Sequence, residues 1–315
     1  MAMTNAFIVG SDRSGTTLLR LIVNQHSRLS VPAETWFLID LVDEFGFDGA
    51  LDVAAVESAI EIVKSKGRWK NFSVSDAQFA EIAGNAPMGL AEFFDRLMTY
   101  EIESTGKTVW VDKSPEYVLH LDWLAPLFPE ARFIHISRDG RDVFESLQPR
   151  RWRGRTPWRI GQYWAACIDS ADRARSALPA DRWMWIKYED LVLDLDETVR
   201  AVCSFLGVEF ESAMLDFHES AAGNVPEQSL VKGFHKKLLR PPAATDVYRW
   251  KGAKRRAQMT MFEAVVDSQL ARAGYERRVR FVPLWSGVAR IHHVLSSAVA
   301  SLQKRWASQR SESGR

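Results

Sequence analysis

The chain has almost no net charge, few cysteines and no hydrophobic run of membrane-spanning length. Its 41 Lys and Arg residues nearly cancel 40 Asp and Glu. No global field is therefore available to gather an anionic polymer, which argues against nucleic acid as a partner and leaves any anionic ligand to locally placed cations. The two cysteines, Cys167 and Cys203, stand far apart without CxxC or metal-type spacing and read as reduced core thiols. The seven histidines are scattered apart from His292-His293, and no H-E-x-x-H or carboxylate cage accompanies them, so no metal is expected. Met1 to Asn5 has no basic stretch, and the apolar run Ala6 to Gly10 is too short for a signal peptide, which makes a cytoplasmic location the expectation.

What is present suits a large globular fold: 315 residues, 46% hydrophobic and 26% charged. Ala6-Phe-Ile-Val-Gly10 is a short apolar run that stops in glycine, and a helical pattern (Leu18, Leu19, Leu21, Ile22) follows Gly15. Thr108 to Asp112, Arg132 to Ser137 and Trp183 to Lys187 are further buried-strand candidates, each followed by a polar turn and a helix-period segment. That order predicts an α/β fold with a mainly parallel sheet flanked by helices. Residues 45–106 carry helical periodicity without strand runs and are expected to form a helical insert capping the sheet's ligand edge. Residues 221–246, rich in Gly, Pro and basic residues, are expected to form a lid or binding loop.

Gly10-Ser-Asp-Arg-Ser-Gly15-Thr16-Thr17 has the G-x4-G spacing of a nucleoside-triphosphate loop between strand and helix, where loop amides and the helix dipole bind an anion. The lysine that should follow the second glycine is replaced by Thr16, so the loop suits a different anion from one undergoing phosphoryl transfer. Arg13, Thr16 and Thr17 add charge-assisted and hydroxyl contacts. In a second segment, Arg138 ends a buried strand and Ser146 lies eight residues on, a little over two helical turns, so a guanidinium and a hydroxyl can converge on one anion. The alternative for Arg138 is an ion pair with Asp139 or Asp142.

These motifs resemble the sulfotransferases that use 3′-phosphoadenosine 5′-phosphosulfate (PAPS), especially the branch with tyrosylprotein sulfotransferases and bacterial homologues. The resemblance implies a P-loop-like sulfotransferase fold and an enzyme that moves a sulfuryl group from PAPS to a hydroxylated acceptor, releasing adenosine 3′,5′-bisphosphate without a metal. It implies that Arg13, Ser14, Gly15, Thr16 and Thr17 bind the 5′-phosphosulfate, and that Arg138 and Ser146 hold the 3′-phosphate. Tyr188, directly after the strand ending at Lys187, resembles the residue packed beside adenine. Tyr248-Arg-Trp-Lys-Gly252 is similar to the basic loop over the 3′-phosphate, with Arg249 and Lys251 as candidates. Glu34, in a Glu-Thr context, corresponds to the base of the tyrosylprotein branch, with His26 as the alternative taken from relatives that use histidine. Lys113, in Asp-Lys-Ser-Pro, corresponds to the cation on the leaving group; its alternative is a surface ion pair with Asp112. The rival readings are an ATP-dependent small-molecule kinase and a non-catalytic nucleotide-binding protein.

The expected organisation is a sulfotransferase domain over 1–280, with the insert and lid within it, and an amphipathic basic helix and tail over 281–315. In the tail Trp285, Val288, Ile291, Leu295, Val299, Leu302 and Trp306 recur every three to four residues, on one face of a helix from about Pro283 to Gln309, with Arg290, Lys304, Arg305 and Arg310 as its cations. Two readings of that stripe are open. It docks on its own domain or on a second subunit in a homodimer, or it lies against a membrane surface as a peripheral contact.

Overall fold

The computed structural model describes residues 5–32, 34–66, 72–150, 152–224, 236–252, 254–279 and 281–296. The elements run β1 (Ala6–Val9), α1 (Thr16–Asn24), β2 (Leu29–Ser30), α2 (Phe37–Phe45), β3 (Ala50–Leu51), α3 (Val53–Ser65), α4 (Asp76–Gly84), β4 (Met88–Gly89) and α5 (Leu90–Glu103). They continue with β5 (Val109–Lys113), a 3₁₀ segment Pro115–His120, α6 (Leu121–Leu127), β6 (Arg132–Ser137), α7 (Gly140–Leu147), α8 (Pro157–Ala177), β7 (Trp183–Lys187), α9 (Tyr188–Leu193), α10 (Leu195–Leu206) and α11 (Phe217–Asn224). Contacts divide the chain into two compact units, one of residues 1–137 with 170–247, the other of 138–169 with 248–315.

The first unit holds a five-stranded sheet in the order β2-β5-β1-β6-β7. All its pairings are parallel, with Ile8 beside Lys113 on one side and Val9 beside His135 on the other. Parallel strands bury both faces, which is why they read as continuous apolar runs and were predictable. Phe7 marks the core: its ring lies 5.4 Å from Phe133, 5.0 Å from Phe128 and 5.5 Å from Trp110. Because strand order reverses about β1, a ligand crevice is expected at the carboxyl end of that strand.

The described residues of 45–106 are mainly helical, and they also contain a short antiparallel pairing, Ala50 to Gly89 and Leu51 to Met88. Two residues per strand give no alternation to read. The last helix, α5, belongs to the sheet cover, since Phe94 packs on Phe7, Phe37, Trp110 and Phe128. The segment expected to be an irregular lid begins as helix, through Asn224, and ends in residues folded around the buried Asp246, which Lys237 and Arg240 hold. The rest of it, 225–235, lies outside the described residues.

In the second unit, α7 is capped by Asp139, which accepts a hydrogen bond from the Arg141 amide at 3.0 Å. Trp164 is fully buried against Gly140, whose added Cβ would come within 2.8 Å of the indole. Phe144 stacks on Phe262 of the helix Arg256–Val265 at 5.1 Å. Both cysteines are buried thiols outside any disulfide, as expected.

Candidate functional site

The turn from β1 to α1 is shaped by what it cannot hold. Gly15 has φ +103°, and a Cβ there would meet Tyr188 at 2.4 Å; at Gly10 it would meet the Ile136 carbonyl oxygen at 2.4 Å. Only glycine allows both the left-handed backbone and the close approach. Arg13 also takes a left-handed φ, 70°, a conformation that costs a non-glycine residue energy and clusters at ligand loops. Ser14 turns inward, its hydroxyl and amide both donating to the Ser11 carbonyl at 2.7 and 3.1 Å. The helix then starts at Thr16 with no side chain capping its first amides. An uncapped helix N-terminus in a glycine-shaped turn is an anion cradle. Thr16 is buried, and Tyr188, the first residue of α9, stands over Gly15, which brings an aromatic ring against the turn.

Lys113 ends β5, in register with Ile8 two residues before the loop. It is 3% exposed and forms an ion pair with Glu34. The expected alternative, a surface pair with Asp112, is overturned: in a strand successive side chains point to opposite faces, and Asp112 turns into the core. Burial pushes the Asp112 carboxyl up to about 6, while Thr35, Ser114 and Lys113 pull the other way. Glu34 is held from three directions. Arg20, on α1, donates from Nε to the carbonyls of Val31 and Pro32, both at 3.0 Å. The Thr35 amide donates to Ser114 Oγ at 3.2 Å, and Thr35 Oγ1 lies 2.7 Å from the Tyr117 hydroxyl. The carboxylate itself meets Lys113. An acid and a cation, each with its backbone fixed, can serve as proton acceptor and as stabiliser of developing negative charge.

The structure does not bring His26 to this group. It follows the far end of α1 and precedes the start of β2, which places it at the opposite sheet edge from the loop. Its Nε2 lies 3.0 Å from the Glu209 carbonyl, and its Nδ1 accepts from the Arg28 amide at 3.0 Å, so both ring nitrogens are occupied by backbone.

In the second unit the Arg138 guanidinium pairs with Asp142 at 3.1 Å, which is the pairing weighed as the alternative. Asp142 also accepts the Trp250 amide at 2.8 Å. One buried carboxylate therefore ties Arg138 to the Tyr248–Gly252 turn, in which Arg249 and Lys251 are exposed around the buried Trp250. Asp139 completes the clamp: it takes Arg141 Nε and Nη2, both at 2.8 Å, and Trp250 Nε1 at 3.0 Å. Arg141 and Arg278 lie over the Trp250 ring at 3.8 and 4.4 Å, cation–π contacts within the usual range. Asp139, Arg141, Asp142 and Trp250 were not singled out as site residues, because the contacts that join the first three to Trp250 span about a hundred residues of sequence. Arg150 was also missed. It donates from Nη1 to the Ser146 hydroxyl at 3.3 Å and lies one helical turn beyond it, a spacing that could have flagged it.

No cluster of three or more His, Cys, Asp or Glu able to hold a metal occurs among the described residues.

Several known proteins are similar to this chain. The chain is 30% identical to the nodulation protein NoeE of Sinorhizobium fredii over 143 residues, which are 45% of this chain and 30% of that one. It is 25% identical to protein-tyrosine sulfotransferase 1 of Danio rerio over 302 residues, 86% of this chain and 72% of that one. Its fold is that of the sulfotransferase domain of the Synechococcus PCC 7002 olefin synthase, with a TM-score of 0.63 at 22% identity over 87% of this chain and 95% of that domain. Residues 5–212, from β1 past α10, match the sulfotransferase family, and the chain belongs to that family.

Proposed function

We propose that this sulfotransferase takes its sulfuryl group from PAPS and transfers it to the hydroxyl of a carbohydrate, lipid or small metabolite. The observation that carries this reading is the ion pair of the buried Lys113 with the partly buried Glu34, beside a glycine-shaped, uncapped helix N-terminus. The loop residues Arg13 to Thr17 bind the 5′-phosphosulfate, and Tyr188 packs beside the adenine. Arg138 and Ser146, with Arg150, Arg249 and Lys251, hold the 3′-phosphate. Glu34 accepts the acceptor's hydroxyl proton as its oxygen attacks sulfur in line. The bond from sulfur to the bridging phosphate oxygen breaks, and Lys113 with Arg13 stabilises the charge that collects there. The product nucleotide is adenosine 3′,5′-bisphosphate. A kinase reading lacks its lysine, since Thr16 occupies that position.

Calorimetry tests the donor. Adenosine 3′,5′-bisphosphate is expected to bind, and Arg138→Ala to weaken it by roughly 1.5–3 kcal/mol through loss of a charge-assisted contact. Equal affinity for ATP, or an unchanged Arg138→Ala, defeats the assignment. The acceptor is sought by mass spectrometry, as metabolites that gain SO₃ only when the intact gene is present.

A further inference from the structure

The helix spanning 282–296 uses one face to join its own unit and leaves another bare. Its inner face is fixed at Ala289, which is fully buried, and at His293, whose Nδ1 lies 3.0 Å from Thr156 Oγ1. At about 100° per residue, Leu284, Val288, Ile291 and Leu295 fall together on the side opposite Ala289. Leu284, Ile291 and Leu295 are 64%, 62% and 62% exposed, and Phe281, just before the helix, is 67% exposed. Of the expected stripe, Trp285 and Val288 are half-buried, while Ile291 and Leu295 are exposed and continue with Leu284 as the bare face. Half of the large hydrophobic side chains exposed among the described residues fall between Phe281 and Leu295.

Charge indicates what covers this face. Arg277 and Arg278 are engaged by Asp267 and Glu263. Beyond them, the sequence from Val279 to Arg315 holds Arg280, Arg290, Lys304, Arg305, Arg310 and Arg315 against the single acid Glu312. Residues 1–276 carry 33 basic and 39 acidic residues, so the chain's positive charge is concentrated at this end. A symmetric contact with a second copy would set two such basic segments side by side, where like charges repel. An anionic lipid surface complements both properties: headgroups meet the cations while the apolar stripe enters the acyl boundary. No described helix is long and apolar enough to cross a bilayer, so this one would lie in the plane. The residues 297–315 that continue the predicted stripe lie outside the described ones.

We propose that the face carrying Leu284, Ile291 and Leu295 docks the enzyme on an anionic membrane surface, which would bring it to acceptors presented at that surface. Flotation of the full-length chain with vesicles of phosphatidylcholine containing phosphatidylglycerol, at about 50 mM salt, tests it. Binding is expected to these vesicles, to fall about tenfold or more without the anionic lipid, and to weaken as salt is raised. Ile291→Glu with Leu295→Glu should remove the binding while the melting temperature and affinity for adenosine 3′,5′-bisphosphate stay unchanged, because both side chains are exposed. Arg290→Glu should weaken binding by a smaller factor. No flotation at low salt overturns the proposal. So does a light-scattering dimer that the double variant dissociates, which assigns the face to a second copy.

Discussion

Around the turn between β1 and α1 the groups proposed to meet the ligand are mainly backbone: uncapped amides, made available by Gly10 and Gly15, with Tyr188 packed over the turn. At the turn into α7 they are side chains, and buried carboxylates aim them: Asp142 on Arg138 and the Trp250 amide, Asp139 on Arg141 and the indole. A backbone cradle needs few residues and tolerates little change, because any Cβ collides. A side-chain cradle needs a supporting shell, and its cost lies in desolvating charges that then depend on one another. The first should therefore lose chemistry when its reactive groups change, and the second should lose stability when its shell changes.

The largest effect expected separates chemistry from fold in the first region. Glu34→Gln should lower turnover on the true acceptor by about 10² to 10⁴. Adenosine 3′,5′-bisphosphate affinity should remain within a fewfold, because the amides of the turn are untouched. Single-turnover kinetics would show it, and undiminished turnover would remove Glu34 from the reaction.

The next effect belongs to the second region. Asp139→Ala leaves the buried Arg141 guanidinium without its hydrogen-bonded carboxylate, with Glu263 3.9 Å away and the charge of Glu276 as the remaining acids that act on it. Losing one partner of a buried ion pair costs about 3–5 kcal/mol. Urea unfolding should reveal most of that loss, and amide exchange should quicken across Tyr248 to Gly252. A change below about 1 kcal/mol, the scale of an exposed pair, would mean the clamp is not what holds the turn.

How much of this could be read from sequence follows the same division. Strands β1, β5, β6 and β7 are rich in apolar residues because a parallel sheet is covered on both faces, and the loop motif announces itself because glycine is obligatory where backbone must meet an anion. Arg138 and Ser146 were visible as residue types at a helical spacing. Trp250 was visible only as a letter in a basic turn, since its partners Asp139 and Asp142 are contributed by a distant segment. The β3–β4 pairing was too short to leave a period. Lys113 was placed correctly at a strand end, but its partner was open, because strand alternation about Asp112 and Lys113 decides which of them faces Glu34 and which faces the core.

That alternation gives the smallest and most specific prediction. Asp112 is 1% exposed, and its carboxyl is raised by burial from 3.8 to about 6. A folded-state value above the unfolded one means the native protein binds the proton more tightly. Stability contributed by the protonated form is present below about pH 4 and is lost as pH rises toward about 6. At roughly 1.4 kcal/mol per unit the loss is on the order of 3 kcal/mol at neutral pH. Asn in its place keeps the shape and cannot ionise, and the hydroxyls of Thr35 and Ser114 can rotate to accept from its amide. Asp112→Asn should thus gain stability relative to the parent between about pH 4 and about pH 7.5, by up to that amount, while Lys113 and Glu34 are left as they were. Urea unfolding at the two pH values supplies the comparison. The same stability difference at both would mean that Asp112 does not change protonation between them, and the burial at the end of β5 would need another account.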